Sequence, residues 1–168
     1  RIAFLPKENN WWGPAGESGP CGPDSEMFYY RGKKVPKKFN PKDADWVEIW
    51  NDVFMQYNKT KEGMFELLMQ KNVDTGMGVE RTVAALNGLG DNYMTGCFLP
   101  IIKAIELKSG KKYGKNEEDT RAMRIVADHI KAAVMMIADG VKPSNTERGY
   151  VLRRLIRRAI RYGRELGM

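Results

Sequence analysis

Histidine occurs once in this 168-residue chain, as His129, and cysteine only twice, as Cys21 and Cys97. That scarcity excludes the CxxC and HxxxH spacings that hold zinc and related metals within one chain, so no metal ligand is expected here. It also argues against a disulfide-stapled secreted domain. No apolar run approaches the roughly 20 residues needed to cross a bilayer. No charged-then-apolar leader stands at the amino terminus. A reducing, cytoplasmic setting with no membrane partner is therefore expected. The first residue is Arg1 rather than Met, so the chain reads as a piece of something longer.

Acidic residues are the minority charge. There are 21 against 28 lysines and arginines, a formal net charge of +7. That balance suits a polyanionic partner without identifying one. The remaining composition, 42% hydrophobic and 29% charged, is that of a soluble globular protein. The length fits one domain or two small ones.

The stretch that organises the chain is Asp74-Thr75-Gly76-Met77-Gly78-Val79-Glu80-Arg81. It reads as a strand end running into a helix, with Gly88 placed to stop that helix. Gly76 and Gly78 lack a Cβ, so another group can approach the backbone there. A carboxylate, bare backbone and a guanidinium this close together suit a small zwitterion or a nucleotide. The plainer alternative is a strand–turn–helix joint with surface charges.

Upstream, Arg1–Leu5 reads as a short strand. Residues 10–23 crowd glycine and proline around Trp11 and Trp12, a composition that excludes a helix or a central strand. Tryptophans in such a loop either plug a core or wall a ligand site. Ser25–Tyr30 has strand composition, and 31–45 is a lysine- and proline-rich exposed connection. Trp46–Tyr57 is the strongest strand. Sorted by parity, its odd face is Val47, Ile49, Asn51, Val53, Met55 and Tyr57, apolar apart from Asn51. A buried amide needs partners, so Asn51 is either bonded to nearby backbone or offered to a ligand. A turn over 58–63 and a return strand over 64–70 complete an antiparallel sheet of three or four strands. Such a half-built sheet again suggests sequence missing on the amino-terminal side.

Beyond Gly88 the pattern becomes helical. One helix lies within 91–109, its apolar part being Phe98–Leu107, with Pro100 in its first turn and Gly110 at its end. Residues 117–138 carry apolar positions Met123, Val126, Ile130, Val134 and Ile137 at the helical period, behind an acidic first turn. A last helix follows Ser144-Asn145-Thr146-Glu147, which fits a capping box with Ser144 as N-cap. Its apolar stripe is Val151, Leu152, Leu155, Ile156, Ala159 and Ile160. Arg148, Arg153, Arg154, Arg157, Arg158, Arg161 and Arg164 crowd the rest. They either pair with acids elsewhere in the chain or hold RNA, and the charge balance favours RNA. The fold class is α+β.

Taken together, the pieces resemble the alanyl-tRNA synthetases. Asn-Trp-Trp-Gly with Gly-Pro-Cys-Gly-Pro-Asp-Ser-Glu, the strand Glu-Ile-Trp-Asn-Asp-Val-Phe-Met-Gln-Tyr-Asn, Asp-Thr-Gly-Met-Gly-Val-Glu-Arg, Ala-Asp-His-Ile-Lys, and the run from Ile137 to Ala159 follow that family's order. The resemblance implies a partial class II synthetase antiparallel sheet over 1–90, including motif 3, and the start of a helical tRNA-recognition domain over 91–168. It implies ATP-dependent activation of L-alanine to alanyl-adenylate and transfer to the 3′ end of tRNA(Ala), with Mg²⁺. It assigns Arg81 to the ATP γ-phosphate as the catalytic arginine, with Gly78 beside it in the ATP site. Trp12, Asn51, Val53, Asp74 and Gly76 would form the alanine pocket, Asp74 holding the ammonium. Asn145 would read the G·U pair of the acceptor stem, with Arg148, Arg153, Arg154, Arg157, Arg158 and Arg161 on the tRNA. Motifs 1 and 2 are not found, so the chain alone is expected to be inactive. Zinc belongs only to an editing domain that this chain does not contain. Asp24 stands where many members carry a second cysteine, which leaves Cys21 a structural role. A non-catalytic RNA-binding module on the same fold is the alternative; it has no physical need for the intact set Trp12, Asn51, Asp74, Gly76 and Arg81.

Overall fold

Trp46–Lys59 forms the longest strand of the computed structural model, which describes residues 1–168. This strand, β3, is rich in the β-branched and aromatic residues that pack well on a pleated surface. Before it in the chain come β1, Trp11–Trp12, and β2, Gly19–Tyr30. With β4, Phe65–Met77, they make one antiparallel sheet in the order β1-β2-β3-β4. Thr60 closes the β3–β4 turn by donating its N–H to the Met64 carbonyl at 2.8 Å. Helix α1, Val79–Leu86, leaves β4 directly after Gly78. The chain divides into two compact units, Arg1–Gly90 and Asp91–Met168. A four-stranded antiparallel sheet followed by helices is the α+β arrangement read from the sequence.

Several local expectations are corrected. Arg1–Leu5 is irregular rather than a strand. The Gly/Pro run does not stay a loop: Gly19–Pro23 belongs to β2, flanked by β1 and β3. Pro23 lies opposite Trp11, and Pro20 opposite Asn58. Pro23 is tolerated because it lies in the slip of the β2–β3 ladder between Cys21 and Asp24, where a full set of N–H donors is not needed, and Pro20 lies beyond the Gly22–Pro23 stretch that β1 pairs, where β2 has one neighbour. Gly22 sits in that slip. A Cβ there would lie 1.9 Å from the Phe54 carbonyl oxygen, so only glycine fits. Cys21 beside it is fully buried and unpaired.

A second slip overturns the parity of β3. Met27 faces Trp50 and Phe28 faces Glu48, so Ile49 is an extra residue. Alternation reverses across a bulge, and Glu48 therefore shares a face with Asn51. β4 is one continuous strand that includes Asp74, and it is exposed over almost all its length as the sheet edge.

The second unit holds α2, Leu99–Ser109, α3, Glu117–Ala138, and α4, Glu147–Glu165. Pro100 lies in the first turn of α2, and Gly110 ends it in the left-handed conformation at φ 69°. Asn116 caps α3 by accepting from the Asp119 N–H at 3.0 Å. Phe98, Ile102, Ile105, Met123, Val126, Ala127 and Leu166 form the core. Leu166 near the end of α4 thus meets the beginning of α3. The expected stripe on α3 is only half buried: Met123 and Val126 are in the core, while Ile130, Val134 and Ile137 are exposed. Met123 and Val126 lie on the first half of α3, against Phe98, Ile102 and Ile105, and α4, which also packs on α3, does not cover the rest of the stripe. On α4, Leu152 and Ala159 are buried and Val151 and Ile160 are not.

The capping box is not formed. α4 starts at Glu147 with Thr146 as N-cap and no side-chain cap bond. Ser144 Oγ instead donates to the Thr146 carbonyl at 2.8 Å. The chain before the helix folds back over Gly149, whose Cβ would lie 2.5 Å from the Lys142 carbonyl oxygen. That return holds Ser144 in a local turn, and Glu147 takes a left-handed φ of 49°.

Asp91 ties this unit together. It accepts from Tyr93 N–H at 2.9 Å, Tyr113 O–H at 2.5 Å and Arg124 Nη2 at 2.5 Å. Burial pushes its carboxyl up, but these bonds and the Arg124 charge outweigh burial and hold it below 3.8. Burial and the Asp91 bond push the Tyr113 phenol up to about 12.

Gly22→Ala is expected to lower the stability of the sheet unit by about 3 kcal/mol, because backbone cannot step aside as a side chain can; thermal unfolding of the variant checks this. Around Asp91 the linkage signs oppose each other. The lowered carboxyl contributes stability that is present above 3.8 and lost as pH falls through its folded value. The raised phenol contributes stability that is present below 10.0 and lost as pH rises towards about 12. Denaturant unfolding against pH should show both limbs, and Asp91→Asn should flatten the acid limb while costing about 1.5–3 kcal/mol at neutral pH.

Candidate functional site

Three adjacent strands set the site by register. Glu26 of β2 faces Asn51 of β3, which faces Gly76 of β4. One step along the same sheet face, Asp24 faces Val53, which faces Asp74. Side chains two residues apart on a strand share a face, so these two rows form one surface. β1 adds Trp12 at the rim. Together with Glu48 they line a cavity of about 480 Å³. All five residues expected at an alanine pocket, Trp12, Asn51, Val53, Asp74 and Gly76, line this one cavity.

Both tryptophans line the cavity. Trp11 also stacks on Tyr57 at 5.7 Å between ring centroids and meets Phe65 edge-on at 5.5 Å, so it serves the packing of the sheet as well. Trp12 makes no such ring contact and is 39% exposed. Gly76 has no atom within 4 Å of where a Cβ would stand, so its bareness leaves open space in the site.

Asn51 bonds to neither backbone nor solvent alone. Its Nδ2 donates to Asp24 Oδ2 at 2.9 Å and to Glu26 Oε1 at 3.3 Å. The second oxygen of Asp24, Oδ1, is buried without a hydrogen-bond partner. Burial pushes the Glu26 carboxyl up, helped by the nearby charges of Glu48 and Asp24 and opposed by Asn51 and Arg81. The cavity is thus walled by Glu8, Asp24, Glu26, Glu48 and Asp74, five carboxylates in a chain of net charge +7.

Arg81 of α1 reaches back to Glu48, Nη1 to Oε2 at 3.1 Å. It crosses Gly78 to do so: a Cβ on Gly78 would lie 2.8 Å from Arg81 Nε. Gly78 therefore makes room for the arginine of its own chain, and the guanidinium stands over the acidic edge of the cavity. The sequence reading missed Glu48, Glu26 and the bonded state of Asp24. Only the bulge at Ile49, invisible to a strict parity count, brings Glu48 to this side.

In the second unit all seven arginines from Arg148 to Arg164 are exposed. Arg161 alone among them is ion-paired, to Glu165 at 3.3 Å. Arg154 lies over the Tyr150 ring at 5.7 Å, and Arg158 and Arg161 lie over Tyr162 at 5.8 and 5.7 Å. Arg153 donates to the side-chain carbonyl of Asn145. Asn145 stands two residues before α4 begins. The helix thus carries a bank of cations with charge left to offer.

The family model of the class II tRNA synthetases of type A matches residues 1–168. The chain belongs to that family. It is 54% identical to the alanine–tRNA ligase of Treponema denticola, with all of the chain and 29% of the relative covered. With the alanine–tRNA ligase of Borreliella afzelii the identity is 53% over the same shares. With that of Desulfosudis oleivorans it is 48%, covering all of the chain and 20% of the relative. The chain therefore spans less than a third of the length of these synthetases. The match runs through both units, so the cavity and the arginine helix belong to one synthetase sequence. No helix of this synthetase chain is long and apolar enough to cross a membrane.

Proposed function

We propose that the cavity binds L-alanine and that the chain serves, within a longer protein, an ATP-dependent alanine–tRNA ligase. The observation that carries this reading is the convergence of Trp12, Asn51, Val53, Asp74 and Gly76, from three separate stretches, on one acidic cavity. In the reaction the alanine carboxylate attacks the α-phosphorus of ATP, pyrophosphate leaves, and a hydroxyl at the tRNA 3′ end then takes the alanyl group from the adenylate. The protein needs to position the reactants and offset charge more than to move protons. Asp74 pairs with the α-ammonium. Trp12 and Val53 close around the methyl group, and the open space at Gly76 admits it. Arg81, always charged and already turned over the sheet edge, meets the γ-phosphate beside Gly78.

No group of three or more His, Cys, Asp or Glu side chains could hold a metal. Magnesium is commonly held by one or two carboxylates with phosphates and water, so the fit is to an ion arriving with ATP, for which Glu48 is the carboxylate nearest Arg81. Residues 1–90 then act as the motif 3 part of the catalytic core, and 91–168 as the start of a tRNA-recognition domain. The arginines of α4, the unpaired Arg148, Arg153, Arg154, Arg157 and Arg158 together with Arg161, take the acceptor-stem phosphates. Asn145 reads the G·U pair: a carbonyl has two lone pairs, so it can hold Arg153 and still accept from the guanine amino group.

Two experiments on the full-length protein test these roles. In ATP–pyrophosphate exchange, Asp74→Asn should raise the alanine KM about 10- to 100-fold, the cost of one charged hydrogen bond, with the ATP KM little changed. Arg81→Ala should act on ATP instead; equal effects on both substrates would refute the assignment. In aminoacylation, Asn145→Ala should lose roughly 1–3 kcal/mol of preference for a G·U over a G·C acceptor pair. Arg157→Ala should weaken both tRNAs alike and reduce the salt dependence of binding by about one charge or less. An unchanged G·U preference in Asn145→Ala would sink the base-reading role.

A further inference from the structure

Asp24 has a job that packing does not explain. It lies on β2, opposite Val53, in the wall of the cavity. One carboxylate oxygen accepts from Asn51 Nδ2 at 2.9 Å, and the other is buried with no partner. A structural aspartate is normally satisfied at both oxygens, because a buried, unpaired acceptor is costly. The fold keeps this one regardless.

Its effect falls on Asn51. A side-chain amide has a donor end and an acceptor end, and a flip exchanges them. Here the end that faces Asp24 and Glu26 must be the NH₂ group, since a carbonyl oxygen set against two carboxylates would be repelled. Both oxygens, Asp24 Oδ2 and Glu26 Oε1, take hydrogen bonds from that one nitrogen. The amide is therefore held one way round, with Oδ1 as the atom left for a ligand. With the opposite orientation the cavity would offer N–H donors, which suit a carboxylate. In the orientation seen Asn51 leaves its acceptor, Oδ1, to a cavity whose wall also holds the carboxylates of Asp74 and Glu26. An ammonium group, with three donors and a positive charge, is the chemical match.

We propose that Asp24 is a positioning residue for the ammonium end of the amino acid: by holding Asn51 Nδ2 it turns the Asn51 carbonyl towards the cavity and sets the pocket to accept an ammonium rather than a carboxylate. This rests on the reading of the cavity as an alanine site. Glu26 is the second, longer anchor of the same nitrogen. Its raised carboxyl agrees with a cluster of acids that a bound cation would relieve.

The test uses the full-length protein and alanine-dependent ATP–pyrophosphate exchange. Asp24→Ala should raise the alanine KM about 10-fold, as the loss of one charge-assisted hydrogen bond does, with the ATP KM unmoved. Asp24→Asn, which keeps shape and loses charge, should move the alanine KM in the same direction by a smaller factor and covers the case in which the alanine variant folds poorly. L-alaninol has the ammonium without the carboxylate, and propionate the reverse. Inhibition by L-alaninol should weaken with Asp24→Ala as alanine does, and inhibition by propionate should not. The decisive arm is the double variant. If Asp24 acts through Asn51, adding Asp24→Ala to Asn51→Ala changes the alanine KM by less than about two-fold, because residues acting as one unit are not additive. An alanine KM unmoved in both Asp24 variants, an undiminished effect in the Asn51→Ala background, or equal weakening of L-alaninol and propionate overturns the proposal. Absence of alanine-dependent exchange in the unmodified protein would instead overturn the alanine reading, and the ligand named here with it.

Discussion

In an antiparallel sheet every residue's face is decided by counting, so one extra residue in a strand turns over everything beyond it. β3 has such a residue at Ile49, where Met27 faces Trp50 but Phe28 faces Glu48. Without that insertion Glu48 would point away from Asn51, and Arg81 would lose the carboxylate it reaches at 3.1 Å. The slip at Cys21–Asp24 does the equivalent work at the other end. It lets Pro23 lie between two neighbouring strands, and it seats Asp24 against Asn51. The cavity is the product of two bulges acting on one central strand. Sites next to bulges are common for this reason: a bulge re-aims side chains without breaking the sheet.

The electrostatics follow from that placement. Five carboxylates line one cavity, and the Glu26 carboxyl is raised first by burial and then by the charges of Glu48 and Asp24. The sheet moderates the repulsion with neutral or cationic neighbours at measured points, Asn51 between Asp24 and Glu26, and Arg81 on Glu48. The balance is incomplete, because Asp24 Oδ1 keeps no partner. A site left short of positive charge binds cations better than a neutralised one.

What could be read in advance depended on how local the cause was. The bounds of α3 are legible because Asn116, three acids and a 3.6-residue apolar period all lie within the helix or beside it. β3 is legible for the same kind of reason. The five residues assigned to an alanine pocket were picked out by resemblance, and all five line one cavity. Glu48 was hidden, since a bulge depends on two strands and not on one. The Gly/Pro stretch was misjudged because proline's rule against central strands has an exception at slips of the ladder. Ser144 was misjudged because the cap geometry depends on Gly149, five residues on, admitting the Lys142 carbonyl to where a Cβ would stand. The burial of α3 failed over its second half because periodicity gives the face of a helix but not which stretch of that face its neighbours cover.

The arginines of α4 show how a helix can carry excess charge of one sign. Arg153, Arg157 and Arg161 recur at i, i+4, where like charges repel by a few tenths of a kcal/mol per pair. Acids in the same turn would remove that cost, yet within the helix only Arg161 has one. Instead Tyr150 and Tyr162 lie under Arg154, Arg158 and Arg161, and Asn145 takes Arg153. An aromatic face or an amide oxygen steadies a guanidinium without neutralising it. The donors remain charged and are partly held in place. A flexible lysine would have to lose more side-chain freedom for each bond it formed to a phosphate, whereas a guanidinium already braced on a ring or an amide loses less. The charge thereby stays exposed rather than being spent inside the fold.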